Sequence, residues 1–306
     1  MNEKYHIPVL LEEVQKYLRV KEGGLYIDCT LGGGGHARGI LEQGGSVVGI
    51  DRDPEAVDFA AKALQEYGDR FEAHASRFSH IETIAGSRAG SIDGVLMDLG
   101  VSSRMIDNAA RGFSFQHNGP LLMTMGENDQ TAIEVINTHE AKDLAELFRR
   151  YGEERYAKII ADSIVKIRSL REITTTTELA DIIEDAVGKR KPQKSKARVF
   201  QALRIYVNDE LGELRKGLAG ALDVMREGGR LLVIAYHSLE DRIVKRCMRE
   251  EADPCLCPKD LPECRCGRTP RLKLVTNKII TPSEEEVERN VRARSAKMRV
   301  AEKIGQ

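Results

Sequence analysis

The sequence predicts an α/β fold in which a mainly parallel, twisted sheet is interrupted by an all-helical domain. Short apolar runs alternate with helix-like segments in the first third of the chain and return near residue 229. Strand, helix and strand at this spacing are typical of a right-handed βαβ unit, and therefore of a parallel sheet. The segment between them contains only loops and helical patterns. We therefore predict a discontinuous sheet domain over residues 1–107 and 209–306 and an inserted helical domain over residues 108–208.

The strands are predicted from short apolar runs and the helices from their spacing and first residues. In chain order, the predicted elements of the sheet domain are strand 25–29, helix 37–41, strand 46–51, helix 54–64, strand 92–98, helix 211–225 and strand 229–235. Pro54 suits the first turn of a helix, where a backbone N–H has no partner to lose. In the insert, Thr177 or a neighbour is predicted to cap a helix over 178–186. The charged segment 189–196, broken by Pro192, is predicted to be flexible.

Composition indicates a soluble globular protein. Of the 306 residues, 41% are hydrophobic, which is enough for a sizeable core, and 31% are charged. No run approaches the ~20 apolar residues that span a bilayer, and residues 1–6 lack the character of a secretory signal. We therefore predict a cytoplasmic protein with no membrane association. A monomer and a homodimer are both compatible with the sequence.

Basic residues are concentrated in two runs without an acidic residue, although the net charge is only −1. Such a run is either a solvated face or a surface for phosphate groups, and two of them in a balanced protein favour nucleic-acid binding. The first run contains Lys189, Arg190, Lys191, Lys194, Lys196, Arg198 and Arg204, and the second contains Arg289, Arg292, Arg294, Lys297 and Arg299.

Four of the six cysteines form two close pairs, Cys255 with Cys257 and Cys264 with Cys266. Four thiols in this arrangement could surround a zinc ion. The C-x-C spacing is tighter than that of most zinc knuckles, and disulfides are not favoured without a secretory signal. Zinc is therefore conceivable at these pairs but is not expected as a cofactor.

Polar residues follow the first two predicted strands at the sheet edge where ligands bind. A glycine-rich turn, residues 30–35, comes after the first strand, but the G-x-G-x-x-G spacing of dinucleotide loops fits it only loosely. Asp51 ends the second strand, where a carboxylate is placed to accept hydrogen bonds from ribose hydroxyls. The alternative for Asp51 is a surface residue that caps a helix. Together the two features indicate a cofactor that contains adenosine, without deciding which one.

A third strand ends at Asp98, and a small hydroxyl-bearing loop that contains Ser102 follows it. A carboxylate here would accept hydrogens from an exocyclic amine and draw its delocalised lone pair towards an electrophile. His237, after the last predicted strand, either orients a base or relays a proton, or merely begins a helix. Arg242 is either a phosphate contact or a salt-bridge partner.

These motifs, taken in order, resemble the RsmH (MraW) family of bacterial 16S rRNA cytosine-N4 methyltransferases. The matching segments are residues 6–11, 26–30 with Gly32, Gly34, Gly35 and His36, and residues 51–54, 98–103, 111–115, 151–155, 200–205, 237–242 and 292–296. The resemblance implies a class I, Rossmann-like methyltransferase fold with a helical insert that recognises RNA. It implies S-adenosylmethionine as donor and the N4 amine of a decoding-centre (P-site) cytidine of 16S rRNA, within the small ribosomal subunit, as acceptor.

The resemblance and the motifs together assign roles to individual residues. Cofactor contacts are expected at Gly34, Gly35, His36, Asp51, Phe78, Asp98 and Met105. Catalytic roles are expected for Asp98, His237 and Ser102. Contacts with the RNA are expected from Phe113 and Phe115, which could stack on a flipped base, and from Lys189, Arg190, Lys194, Arg204, Arg242 and Arg294.

The chain departs from the family pattern at several positions. Met105 replaces a glutamine, and Leu122, Thr124 and Gly126 replace an aspartate, an arginine and a second aspartate. These changes motivate an alternative, a catalytically weak ribosome-binding homologue that retains the cofactor fold. An NAD dehydrogenase is disfavoured because the glycine spacing is wrong and no Tyr/Lys or Cys/His catalytic set is apparent.

Overall fold

The computed structural model of the chain describes residues 8–126, 130–258, 265–276 and 278–305, with only the backbone of Ser103. The chain divides into two compact units. One unit combines Met1–Gly100 with Leu211–Gln306, and the other is the continuous segment Val101–Glu210. The predicted insert, residues 108–208, falls within the second unit.

A seven-stranded sheet forms the centre of the first unit, with strand order β3-β2-β1-β4-β5-β7-β6. The neighbouring strands from β3 to β5 are parallel, whereas β7 is antiparallel to both β5 and β6. This topology confirms the predicted Rossmann-like, mainly parallel α/β sheet. The strands are β1 Leu25–Asp28, β2 Ser46–Asp51, β3 Phe71–Ala75, β4 Ile92–Asp98, β5 Met225–Ala235, β6 Leu272–Leu274 and β7 Lys297–Lys303.

Helices cover both faces of this sheet, which is why its central strands are continuous apolar runs. Alternate side chains of each strand enter different cores: Ile27, Val95 and Val233 enter one, and Tyr26 and Leu96 enter the other. The predicted helices of this unit are present. The helices are α1 Leu11–Leu18, α2 Gly35–Glu42, α3 Pro54–Ala63, α4 Ile81–Ala85, α11 Glu210–Val224, α12 Ser238–Ala252 and α13 Glu284–Arg289.

Three strands, β3, β6 and β7, were not predicted from the sequence. β3 alternates apolar residues with the polar Glu72 and His74, and so has no continuous apolar run. β5 also begins earlier than predicted, at Met225 rather than Gly229, because the predicted helix that precedes it ends at Val224.

The second unit is helical, as predicted, and has a hydrophobic core of its own that includes Phe148, Ile160 and Leu203. Thr175, two positions before Thr177, caps α9 in a capping box with Glu178, whereas Thr177 itself lies inside the helix. No helix within the described ranges is both long and apolar enough to cross a bilayer. The helices are α5 Ser103–Asp107, α6 Ala132–Thr138, α7 Ala141–Gly152, α8 Ala157–Arg168, α9 Thr176–Val187 and α10 Pro192–Asn208.

The prediction of a flexible segment over residues 189–196 was wrong from residue 192 onwards. Pro192 stands in the first turn of α10 and starts this helix instead of breaking the chain. Proline is favoured there because its fixed φ is already helical and its missing N–H would have had no partner. The basic run is therefore divided between a turn before α10 and the body of the helix.

Candidate active site

Three aspartates stand at the carboxyl ends of neighbouring parallel strands. Asp28 ends β1, Asp51 ends β2 and Asp98 ends β4, and these strands are adjacent in the order β2-β1-β4. The carboxyl edge of such a sheet, near the point where strand order reverses, is where α/β proteins bind ligands. The first unit therefore presents three acidic groups at its candidate ligand-binding edge.

Asp28 is fully buried and only partly hydrogen-bonded. Its Oδ1 accepts the backbone N–H of Thr30 at 3.1 Å, whereas Oδ2 is buried without a hydrogen-bond partner among the described residues. Burial raises the pKa of Asp28 to about 6, against the opposing effect of His36 and with a further rise from Asp98 and Asp51. No role was predicted for Asp28 from the sequence, although it shares the strand-end position of Asp51 and Asp98.

Asp51 is tied to the glycine-rich turn. The N–H of Gly32 donates to its Oδ2 at 2.7 Å, and the N–H of Asp53 donates to its Oδ1 at 2.9 Å. Burial raises the pKa of Asp51 to about 6, and these N–H donors oppose the rise. The helix cap that was the alternative for Asp51 is provided by Asp53, whose side chain accepts the N–H of Glu55 at the start of α3.

The turn itself is fixed by glycine at the start of α2. Gly34 has φ +77°, a conformation that L side chains rarely adopt, and a Cβ there would lie 2.9 Å from Leu64. The backbone of this turn can therefore approach a ligand closely while its own course is set by packing. Gly35 and His36, the other predicted cofactor contacts of this turn, form the first turn of α2.

Asp98 is held firmly but stays accessible. Its Oδ1 accepts the hydroxyl of Tyr236 at 2.8 Å, and its own N–H donates to the hydroxyl of Thr30 at 2.6 Å. The His36 Nε2 lies 3.6 Å from the Asp98 Oδ2, and the Asp98 side chain is 21% exposed. Burial and the neighbouring Asp98 raise the pKa of Tyr236, so that the phenol remains a hydrogen-bond donor. The Asp98 carboxylate is therefore held in place and partly exposed, so an incoming group can reach it.

His36 and Phe78, two of the predicted cofactor contacts, both belong to the first unit. His36 is 6% exposed, and neither ring nitrogen has a hydrogen-bond partner within the described ranges. Phe78 follows β3 and is partly buried against the core. Its ring lies so close to α11 that a Cβ at Gly217 would be only 2.4 Å away.

His237 caps the start of α12, which is the purely structural role that was predicted as an alternative for it. Its Nδ1 accepts the N–H of Glu240 at 3.4 Å, and the Glu240 carboxylate accepts the N–H groups of Tyr236 and His237. His237 Nε2 also lies 3.1 Å from Glu240 Oε1. This network holds the backbone of Tyr236, whose hydroxyl donates to Asp98. A direct role of His237 towards a base stays a prediction. Arg242 is exposed on α12.

Ser102, Met105, Phe113 and Phe115 belong to the second unit. Ser102 caps α5 by accepting the N–H of Met105 at 3.2 Å, and Met105 is 6% exposed. Phe113 and Phe115 pack against the helical core, and Phe115 meets Phe200 edge to face at 5.1 Å. Both rings thus have a core role that was not predicted, and stacking on a base stays a prediction.

The first basic run separates into exposed and paired residues. Lys189, Arg190 and Lys194 are exposed. Lys196, in contrast, is buried and forms an ion pair with Glu184, and Arg204 donates two hydrogen bonds to Glu210 at 2.8 and 2.9 Å. Arg204 is therefore committed to a structural contact and lies outside the exposed basic surface on which its predicted RNA contact depends.

Two further predictions concern the chain after α12. Arg294 is exposed in a 3-10 turn, Val291–Ser295. Of the predicted metal ligands, Cys255, Cys257 and Cys266 lie together, whereas Cys264 falls outside the described residues.

Comparisons with known proteins agree over almost the whole chain. A model of the MraW methylase family matches residues 3–304. A protein of Carboxydothermus hydrogenoformans named ribosomal RNA small subunit methyltransferase H is 53% identical over 98% of both chains. The protein of the same name in Heliobacterium modesticaldum is 46% identical over 98% of this chain and 99% of that protein. A solved rRNA methylase from Streptococcus thermophilus aligns at 11% identity, covering 98% of this chain and 99% of that chain, with a TM-score of 0.44 that is too low to bear on function.

Proposed function

The chain belongs to the MraW methylase family, and on this premise we propose that it methylates the N4 amine of a P-site cytidine in 16S rRNA, with S-adenosylmethionine as methyl donor. The family makes the chain an S-adenosylmethionine-dependent methyltransferase with the class I fold. Relatives named for the small-subunit rRNA support the substrate class. The observation that carries the finer assignment is Asp98, an accessible carboxylate held in place at the end of β4.

The strand-end carboxylates suit the donor by charge. S-adenosylmethionine carries an ammonium and a sulfonium, and attraction to opposite charge is strong where burial excludes water. The buried Oδ2 of Asp28, which has no hydrogen-bond partner in the described part of the chain, is a ready acceptor for an ammonium N–H. Asp51, held by the turn that contains Gly32, is placed for the ribose hydroxyls. Gly34, Gly35, His36 and Phe78 complete the proposed donor contacts of the first unit, and Met105 is proposed from the second.

Asp98 is proposed to act on the acceptor amine. When bound, S-adenosylmethionine supplies an electrophilic methyl group. The cytosine N4 lone pair is delocalised into the ring, so N4 is a weak nucleophile until a hydrogen-bond acceptor binds its hydrogens and makes the lone pair available for attack. The Asp98 carboxylate would accept one such hydrogen and take up the proton that N4 loses as the new C–N bond forms. In the same step the bond between the methyl group and the donor sulfur would break, with S-adenosylhomocysteine as the leaving group. Tyr236 and Thr30 hold this carboxylate in one orientation, which is the positioning that such a step requires.

The helical unit is proposed to contact the RNA backbone. We use the name basic turn for the exposed residues Lys189, Arg190 and Lys191 before α10 together with the exposed Lys194 in the first turn of that helix. Four cations without a neighbouring acid in the sequence suit phosphate contacts, which position a protein on RNA without reading its sequence. The substrate would lie within small ribosomal subunits, and we accordingly expect the enzyme to work in the cytoplasm.

Identification of the product nucleoside tests this proposal. Small subunits from cells that lack the protein are incubated with excess enzyme and methyl-labelled S-adenosylmethionine in a single turnover. The RNA is then digested and its nucleosides are resolved by mass spectrometry. We expect label in N4-methylcytidine from the P-site region. Label in another nucleoside refutes the N4 assignment, and donor binding without transfer to RNA favours the weakly active ribosome-binding homologue.

Asp98→Asn tests the assigned residue. It should lower the single-turnover rate by at least about 100-fold, the usual contribution of a positioned proton acceptor, while donor affinity changes little. Asp58 is an exposed carboxylate on α3, and Asp58→Asn is the matched control. This variant should transfer the methyl group at the wild-type rate. A wild-type rate in Asp98→Asn disproves the role of Asp98.

A further inference from the structure

Three cysteines lie close together in the connection between α12 and β6. This connection is distant in the sequence from the strand-end carboxylates. Both ends of this connection are held, because the N–H of Arg271 donates to the carbonyl of Glu251 at 2.9 Å. Cys255 is exposed, and Cys257 and Cys266 are half-buried. The fold thus closes the loop that carries these three cysteines.

The sulfur atoms are spaced for a common metal ion. The three Sγ atoms all lie within 4.8 Å of one another, and Cys255 Sγ and Cys266 Sγ are 4.0 Å apart. Thiolates bound to tetrahedral zinc with bonds of about 2.3 Å are about 3.8 Å apart. A disulfide requires about 2.05 Å instead, so this pair is much nearer to the spacing of metal ligands than to that of a bond.

A backbone donor supports one of the sulfurs. The N–H of Arg265 donates to Cys257 Sγ at 3.3 Å. Hydrogen bonds of this kind orient a sulfur that serves as a metal ligand. This contact joins residues eight apart and links the segment of Cys257 to the one that leads to Cys266, which the C-x-C spacing alone did not indicate.

We propose that Cys255, Cys257 and Cys266 form a structural zinc site that closes the loop between α12 and β6. Each thiol releases its proton to solvent as its sulfur binds the ion. The fourth position of the tetrahedron is left for a further donor. The site is separate from methyl transfer and stands independently of the proposed function.

Metal content and cobalt spectra of the full chain test this inference. Protein purified under reducing conditions and loaded with Zn²⁺ should hold about one zinc ion per chain, measured by mass spectrometry of the metal after gel filtration. Loading with Co²⁺ should give the intense thiolate-to-cobalt charge-transfer band and the visible d–d bands of a tetrahedral site. Cys255→Ser and Cys257→Ser should each lose most of the zinc and weaken both sets of bands.

Cys247 provides a matched control. It lies on α12 outside the three-thiol group, and burial raises its pKa to about 11, so it remains a neutral thiol. Cys247→Ser should keep full zinc and the wild-type cobalt spectrum. Circular dichroism of each variant separates loss of the site from loss of the fold.

Three results overturn the proposal. One is reduced, folded wild-type protein that binds no zinc and gives no thiolate-to-cobalt band. Another is an intact mass showing a disulfide among these cysteines after purification under the same reducing conditions. The third is unchanged metal content in Cys255→Ser and Cys257→Ser.

Discussion

At the scale of single residues, the candidate site presents three strand-end carboxylates, of which Asp28 is fully buried and Asp98 is partly exposed. Asp28 and Asp51 both have a pKa raised to about 6, chiefly by burial. Such groups are costly to ionise in the free protein, and a ligand that brings positive charge removes part of that cost. Donor binding and carboxylate ionisation are therefore expected to be coupled.

This coupling predicts a pH dependence of donor affinity. As the pH falls through about 6, Asp28 and Asp51 become protonated and lose their attraction for the cationic donor. The dissociation constant of S-adenosylmethionine, measured by calorimetry from about pH 7.5 to about pH 5, should rise as the pH is lowered. Asp28→Asn should bind more weakly at neutral pH and show a flatter profile, whereas Asp58→Asn should follow the wild type. A flat wild-type profile contradicts the coupling.

The stability of the donor-free protein should respond in the opposite direction. The folded pKa values of Asp28 and Asp51, about 6, lie above the ordinary value of 3.8. The stability that these groups contribute is therefore present at low pH and is lost as the pH rises through about 6.

The sequence located two of the three acids but not the network around them. Asp51 and Asp98 could be predicted because each ends an apolar strand. The hydrogen bond from Tyr236 to Asp98 joins residues 138 positions apart, so no local pattern reveals it. Asp28 was passed over because its significance lies in a buried oxygen without a partner, and burial of a single atom is a tertiary property.

At the scale of elements, α10 determines which lysines of the first basic run are exposed. Lys194 and Lys196 are neighbours in the sequence, yet one is exposed and the other is buried beside Glu184. Helix phase separates them, because positions two apart point to different faces of a helix. The sequence identified the charges but not their faces, since Pro192 was interpreted as a break rather than a start.

Charge reversal in the basic turn should weaken RNA binding. Lys189→Glu with Lys194→Glu removes two candidate phosphate contacts, and the affinity for small-subunit RNA should fall with a shallower dependence on salt. Lys158→Glu with Lys166→Glu changes the net charge equally at two exposed lysines of α8. Filter binding over a range of salt concentrations measures both pairs. Equal losses in the two pairs would indicate a general charge effect and refute a specific role of the turn.

Asn208 at the end of α10 should matter for stability. Its fully buried side chain donates to the carbonyls of Met123 and Arg204, both at 2.8 Å, and accepts the N–H of Met125 at 2.9 Å. Asn208→Ala leaves buried groups without partners, at roughly 1–3 kcal/mol each. Denaturant titration should show this loss, and Gln193→Ala, an exposed change on the same helix, should show almost none. Similar midpoints would contradict the assignment.

Asn208 also bears on the loop that departs from the family pattern. Met123 and Met125 flank Thr124, and Met123 has a positive φ of 59°. Arg111 donates to the carbonyl of Thr124 at 3.2 Å. The backbone of the loop around the substituted positions is therefore held by the side chains of Asn208 and Arg111, and these contacts do not depend on the side chains that were replaced.

At the scale of the whole molecule, each unit buries its own hydrophobic core. The helical unit is one continuous segment, Val101–Glu210, whereas the sheet unit is assembled from two. The α/β class and the insertion were predictable because strand and helix periodicities differ. The antiparallel β7 was not, because pairing direction is decided by partners distant in the chain.

A fragment of residues 101–210 should fold alone. Its core should give a helical circular dichroism spectrum and one cooperative thermal transition. Phe148 is fully buried in that core, and Phe148→Ala serves as the destabilised comparison. It should lower the free energy of unfolding by roughly 3–5 kcal/mol and therefore lower the transition temperature. A wild-type fragment without a cooperative transition would show that this unit depends on the rest of the chain.

The position of β7 between β5 and β6 affects the order of events during synthesis. β7 is the last strand in the chain, so the edge of β5 stays unpaired on the ribosome long after the helical segment has emerged. A nascent chain that pauses after α12 therefore carries a segment able to close its own core and, separately, an open strand edge of the kind that pairs with other chains or recruits chaperones.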